Sequence, residues 1–140
     1  MNQNMIILPV FVQVLLTIGV LFVMGARRRT ALVSKTTRLK DIALGQDAWP
    51  TNATKASNNY KNQFEIPVLF YILIALALPL RHADLFIVLM SWVFVVTRFI
   101  HAGIFVTSND VRQRGLVWFA GVLVLLAMWI YFALKMLLLI

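Results

Sequence analysis

NNYKNQFEIP, at residues 58–67, leads directly into the apolar run VLFYILIALAL at residues 68–78. Only Pro67 could interrupt a helix there, so we predict one continuous helix over residues 57–78. At spacings of three and four, its polar residues share one helical face; they are Asn58, Lys61, Asn62 and Glu65. A charge on this face borders a purely apolar segment, so it needs a partner or a polar ligand.

The composition is that of an integral membrane protein. The chain has 140 residues, is 61% hydrophobic and has a mean hydropathy of +0.86, whereas soluble domains are nearer about half apolar. Its apolar blocks reach the length of about 20 residues that a helix needs to cross a bilayer. We therefore expect a single membrane domain over residues 1–140 and exclude a water-soluble globule.

Four apolar blocks predict an all-α, up-down-up-down bundle of four helices. The predicted spans are residues 5–26, 57–78, 85–106 and 115–139. Gln13 lies on a stripe of small and polar residues in the first span, a pattern typical of helix–helix packing in lipid. Turn residues at Gly45 and at Trp49-Pro50 predict an ordered interfacial loop after that span.

The charges predict orientation rather than nucleic-acid binding, because the Lys and Arg residues flank the apolar blocks. Arg81 and Lys135 stand on the side of the second loop. Ten basic residues fall on the side of the first and third loops: Arg27, Arg28, Arg29, Lys35, Arg38, Lys40, Lys55, Lys61, Arg112 and Arg114. The positive-inside rule then places those two loops in the cytoplasm and both termini outside it.

The polar residues of three predicted helices converge on one layer. Glu65 and Arg98 each lie about two turns inside the cytoplasmic ends of their helices, His101 is one turn from Arg98, and Arg114 begins the fourth span. One interpretation is a buried ion pair between Glu65 and Arg98. The other is a site for an anionic ligand with several oxygens, since cations outnumber the single acid.

Several classes of chemistry lack support in the sequence. The chain has no Cys, which excludes disulfides and thiolate metal sites. His101 has no second ligand at metal-binding spacing, so we expect no metal. No nucleophile–base pair, phosphate loop or dinucleotide fingerprint is present.

The motif Asn62-x-x-Glu65-x-Pro67, followed by Arg98-x-x-His101 and then Arg114, resembles the MAPEG family, the membrane-associated proteins in eicosanoid and glutathione metabolism. The resemblance covers essentially the whole chain. It implies a homotrimer that binds glutathione, as a co-substrate, between neighbouring subunits near the cytoplasmic face.

The resemblance also implies roles for particular residues. Arg114 would be catalytic by holding the glutathione sulfur as a thiolate. The residues that would bind the tripeptide are Arg28 from the adjacent subunit, Lys61, Asn62, Glu65, Arg98, His101 and Trp118. The sequence departs from the family pattern in having Lys61 for arginine, Phe105 and Trp118 for tyrosines, and Gly115 for a hydroxyl residue, so weaker glutathione binding and thiolate activation are expected.

The chain is more similar to the bacterial, uncharacterised branch of the family than to the eicosanoid synthases, which implies the bacterial inner membrane. The leading hypothesis is glutathione-transferase-like or peroxidase-like chemistry on a lipophilic electrophile that arrives through the lipid. The alternative is a non-catalytic scaffold or lipid-binding protein on the same fold. A transporter is a third and less supported possibility, because broken-helix pairs and internal repeats are lacking.

Overall fold

The computed structural model describes residues 3–43 and 48–138, which contain six helices and no strand. The helices are α1 (Gln3–Val33), α2 (Leu39–Ile42), α3 (Thr51–Asn62), α4 (Ile66–Ala77), α5 (Leu85–Val106) and α6 (Val111–Leu138). The predicted all-helical fold is therefore confirmed for this part of the chain. The turn predicted at Gly45 and the end of the fourth span at residue 139 lie outside the described residues.

Three helices, α1, α5 and α6, are long and apolar enough to cross a membrane. Their outer faces carry large apolar side chains that the protein does not cover: Phe11 is 65% exposed, Phe22 71% and Leu116 67%. Apolar surface on this scale is costly in water but not in a bilayer. The exposed faces of these helices are therefore suited to contact with lipid.

The prediction of one continuous helix over residues 57–78 is wrong. α3 ends at Asn62, a turn occupies residues 63–65, and α4 starts at Ile66. Pro67 is the cause, since in an unbroken helix its ring would clash with the carbonyl of Gln63 and its missing N–H would cost a hydrogen bond. In the first turn of α4 neither penalty applies.

The helices pack around α5. It contacts α1, α3 and α6, while α4 packs against α6 and α1. The rings of Phe70 in α4 and Phe94 in α5 are fully buried and stack with their centroids 4.9 Å apart. α6 approaches α5 closely at Gly121, where an added Cβ would lie 3.0 Å from the Thr97 hydroxyl. A small residue at such a contact is typical of helix packing in lipid.

A chain of buried amides joins α1, α3 and α5 at the level of the break. Gln13 Nε2 donates to Gln63 Oε1 over 3.1 Å, Gln63 Nε2 donates to Asn59 Oδ1 over 3.2 Å, and Asn59 Nδ2 donates to the Ala102 carbonyl over 3.2 Å. The three side chains are fully buried. The broken segment is thus held to its neighbours by hydrogen bonds that water cannot replace in the interior.

At the opposite end of the bundle, Asp84 ties the start of α5 to the end of α6. Its carboxylate accepts from the Ile87 N–H, from the Tyr131 hydroxyl and from Lys135 Nζ, the last over 2.7 Å. Burial opposes ionisation of Asp84, but these hydrogen bonds and the Lys135 charge together outweigh burial and lower its pKa. The start of one long helix and the end of the other therefore share an ion pair.

Replacing Gln63 by Leu is expected to lower the free energy of unfolding by about 1–3 kcal/mol, because the buried Gln13 amide would lose its acceptor. The double variant Gln13→Leu/Gln63→Leu should recover part of that loss, since the stranded amide is then gone. Unfolding by added SDS in dodecyl maltoside, followed by circular dichroism, measures both. Gln113→Leu, at an exposed site on α6, is the control and should change little. Equal stability of the Gln63 and Gln113 variants would contradict the amide chain.

The ion pair of Asp84 predicts a pH dependence. Its folded pKa lies below the usual 3.8, so its contribution to stability is complete above the unfolded pKa and disappears as the pH falls through the folded pKa. The melting temperature of the wild type should therefore fall more steeply below about pH 3.8 than that of Asp84→Asn, which should melt lower at pH 7. Parallel melting curves from pH 6 to pH 2.5 in a nonionic detergent would rule this out.

Candidate functional site

A cleft of about 330 Å³ opens where the break between α3 and α4 meets the end of α5 and the start of α6. This volume is at the small end of the range typical of ligand sites, about 300–1,000 Å³. Its walls contain an acid, an amide, an imidazole and a guanidinium beside apolar groups. The lining residues are Asn62, Glu65, His101, Phe105, Val111, Arg114, Gly115 and Trp118.

Asn62 connects the cleft to a buried cation. Arg98 is fully buried, and its Nη2 donates to Asn62 Oδ1. Asn62 Nδ2 in turn donates to Glu65 Oε1 over 2.6 Å. Glu65 and Arg98, both in the described part of the chain, therefore communicate through an amide rather than as the direct ion pair that the sequence left open. Glu65 itself is exposed, so its carboxylate stays accessible from the cleft.

Arg98 is incompletely satisfied. Neither its Nε nor its Nη1 atom has a hydrogen-bond partner within residues 3–43 and 48–138. A fully buried guanidinium with unused donors is strongly stabilised by negative charge nearby. The carboxylate of Glu65, one amide away, is the acid that the structure places in this position.

His101 lies one turn from Arg98 on α5 and is only 2% exposed. Its ring packs edge-on against Phe105, with the centroids 5.5 Å apart. The Nδ1 atom has no hydrogen-bond partner within the described part of the chain, although the residue lines the cleft. The imidazole is thus held by packing, and its Nδ1 atom is buried without a hydrogen bond to the described residues.

Arg114 is positioned by the turn before α6. Its Nη1 donates to Asn109 Oδ1 over 2.5 Å, and its guanidinium lies 4.3 Å from the centroid of the Phe105 ring. Asn109 adopts a left-handed backbone with φ of 52°, a conformation that asparagine tolerates better than most residues. Asp110 accepts from the N–H groups of Arg112 and Gln113 and so caps α6. The bond to Asn109 uses one of the five donors of the guanidinium.

The remaining predicted site residues divide into two groups. Trp118 lines the cleft with 38% of its surface exposed. Lys61 is exposed on α3 and does not line the cleft. Arg28 of the same chain donates to Ser57 Oγ over 3.1 Å and lies 5.0 Å from the Trp49 ring, away from the cleft. A role for Arg28 would therefore require a neighbouring subunit, as the family resemblance implied.

Some contributors were not among the predicted site residues. Phe105, Val111 and Gly115 line the cleft, and Asn109 holds Arg114. The turn sequence TSND at residues 107–110 signalled the location of Asn109, but its contact with Arg114 depends on the left-handed backbone. Asn59 and Gln63 do not line the cleft, but their buried hydrogen bonds hold the turn beside it. Their role could be recognised only once the helix break was known.

The structure defines a helical membrane protein with a polar cleft at one end of its bundle. The MAPEG family model matches residues 6–134, nearly the whole chain. The chain therefore belongs to the MAPEG family, and the resemblance inferred from the motif is confirmed. Members of this family use glutathione, and membership is consistent with a glutathione-transferase-like role in the membrane. No curated protein and no solved structure matched the chain significantly.

Asn62→Ala is expected to lower the free energy of unfolding by about 1–3 kcal/mol, because it removes the side-chain oxygen that accepts a hydrogen bond from the buried Arg98 guanidinium. Asn58→Ala, four residues earlier at an exposed position, should be nearly neutral. Detergent unfolding curves of the two variants provide the comparison. If Asn58→Ala were the more damaging substitution, the bridging role of Asn62 would be refuted.

Proposed function

We propose that the cleft binds glutathione and that the protein transfers it to a lipophilic electrophile. One observation supports this most: Glu65, His101 and Arg114 line a single cleft, and Asn62 links that cleft to the buried Arg98. We also propose a homotrimer in which Arg28 of a neighbouring subunit completes the site. On the positive-inside rule, the cleft faces the cytoplasm.

The chemistry of the walls suits this ligand. Glutathione has two carboxylates, one amine and one thiol, so its site needs several cations and one acid. Glu65 is exposed and suits the amine, while Arg114 has donors left for an anion. The bond from Arg98 to Asn62 orients that amide so that its NH₂ group points to Glu65. Asn62 thereby holds the carboxylate of Glu65 in the wall of the cleft.

Arg114 is the residue proposed to act on sulfur. A guanidinium next to a thiol favours the thiolate, which is the nucleophilic form. With an aryl halide, the sulfur forms a bond to the ring carbon and the halide leaves with its bonding electron pair. With a hydroperoxide, two glutathione thiols are oxidised to a disulfide while the peroxide is reduced to an alcohol and water. Exposed apolar surface beside the cleft, at Leu116 and Trp118, gives lipophilic substrates access from lipid.

Arg114→Ala is expected to lower the rate of glutathione conjugation to 1-chloro-2,4-dinitrobenzene at least tenfold, because the thiolate loses its counter-charge. The rate is followed by absorbance with the detergent-purified protein. Arg112→Ala removes the same charge from an exposed position on the same turn and should retain activity. Equal loss in both variants would show a general charge effect instead. Size-exclusion chromatography checks that the assembly survives.

Thermal unfolding in the presence and absence of glutathione measures binding independently of catalysis. A ligand that binds the folded form alone stabilises it by about 2.7 kcal/mol at 100 times its dissociation constant. Gly115→Leu should abolish this shift, because an added Cβ there meets open space in the cleft. Gly25→Leu is matched in chemistry, also meets open space and lies outside the cleft. No shift in the wild type at millimolar glutathione would favour the non-catalytic scaffold.

A further inference from the structure

A second cavity, separate from the cleft, runs between α1 and α5. It has a volume of about 390 Å³ and apolar walls. Leu15, Val23 and Phe99 form its rim and are 65%, 37% and 43% exposed, whereas Val20 and Ala102 form its floor at 5% and 4%. The Asn59 amide also reaches the floor, but its NH₂ group is bonded to the Ala102 carbonyl. We refer to this cavity as the α1–α5 groove.

Two glycines on the facing helices create the space. An added Cβ at Gly19 or Gly103 would meet no atom within 4 Å, and both residues line the groove. From Leu15 to Val23 the groove follows α1 for about 12 Å, at a rise of about 1.5 Å per residue. An apolar groove that follows a membrane-spanning helix over this length can hold part of an acyl chain.

Two cations stand at the end of the groove. Arg27 Nη2 donates to the Val106 carbonyl over 3.2 Å, and Lys55 Nζ donates to the Thr107 carbonyl over 3.3 Å. Val106 also lines the groove, so both cations lie where it reaches the end of α5. Cations at a helix C-terminus are favourable by themselves. These two also keep further N–H donors, because a guanidinium has five and an ammonium three.

We propose that the α1–α5 groove binds one acyl chain of an anionic phospholipid, with the lipid phosphate at Arg27 and Lys55. A phosphate has several acceptor oxygens and is well matched by a pair of cations at the membrane surface. The lining residues of the groove include no acid, so nothing there repels the phosphate. The two cations and the apolar groove are therefore adjacent, as the phosphate and the acyl chain are in a phospholipid. A packing face for a second copy would not require the two cations.

Native mass spectrometry of the detergent-purified protein tests the headgroup. Phosphatidylglycerol and phosphatidylcholine with identical acyl chains are added in turn, and glycerol phosphate is added alone. We expect at least threefold more retained phosphatidylglycerol than phosphatidylcholine, and no retained glycerol phosphate. The double variant Arg27→Gln/Lys55→Gln should reduce phosphatidylglycerol to the phosphatidylcholine level. Arg29→Gln/Arg112→Gln removes the same net charge from exposed positions and should retain the preference.

Acyl-chain binding in the groove is tested by adding a side chain that fills it. Gly103→Leu should lower retention of both phospholipids at least threefold, while Gly25→Leu, outside the groove, should not. The proposal is overturned if the two lipids are retained equally by the wild type, if both double variants lose the preference alike, or if glycerol phosphate alone is retained. It is also overturned if Gly103→Leu changes the subunit number and leaves lipid retention intact, since the groove would then be a contact between copies.

Discussion

A single charge inside an apolar helix constrains much of this structure. Arg98 lies on α5 about two turns before its end and is fully buried, in an environment where a guanidinium without partners is costly. Its bond to Asn62 brings the end of α3 to α5. Asn62 in turn holds Glu65, which lies in the turn after α3. The charge on one helix thereby determines where the acid of the cleft is found.

The break between α3 and α4 makes this arrangement possible. Pro67 prevents a continuous helix, and the turn at residues 63–65 places the buried polar side chain of Gln63 near one end of an apolar bundle. The buried amides of Gln13 in α1 and Asn59 in α3 form hydrogen bonds with the Gln63 side chain. The cleft opens at this same level, so the local disruption that would be a defect in a plain bundle forms a wall of the candidate site.

The two ends of the bundle differ in character. At one end, Asp84 and Lys135 satisfy each other, with Tyr131 beside them, so the ion pair connects two helices and leaves little capacity for a ligand. At the other end, cations outnumber acids. Arg98 and Arg114 share the neighbourhood of Glu65, while Arg27 and Lys55 bond only carbonyl oxygens in the hydrogen bonds that the structure shows. Unbalanced positive charge is what makes this end suited to anionic ligands.

The sequence by itself determined the membrane class, the all-helical fold, the family and the residues that converge near Arg98, because apolar length and the spacing of polar residues follow from local chemistry. It also determined the bounds of α5, which match the predicted span. The local cause of the helix break, Pro67, was also present in the sequence, although a continuous helix was predicted there. Only the tertiary structure decided that Asn62 stands between Glu65 and Arg98. It alone placed Lys61 and Arg28 outside the cleft of their own chain and showed the groove between α1 and α5. These outcomes depend on how helices rotate and pack against one another, which no single stretch of sequence specifies.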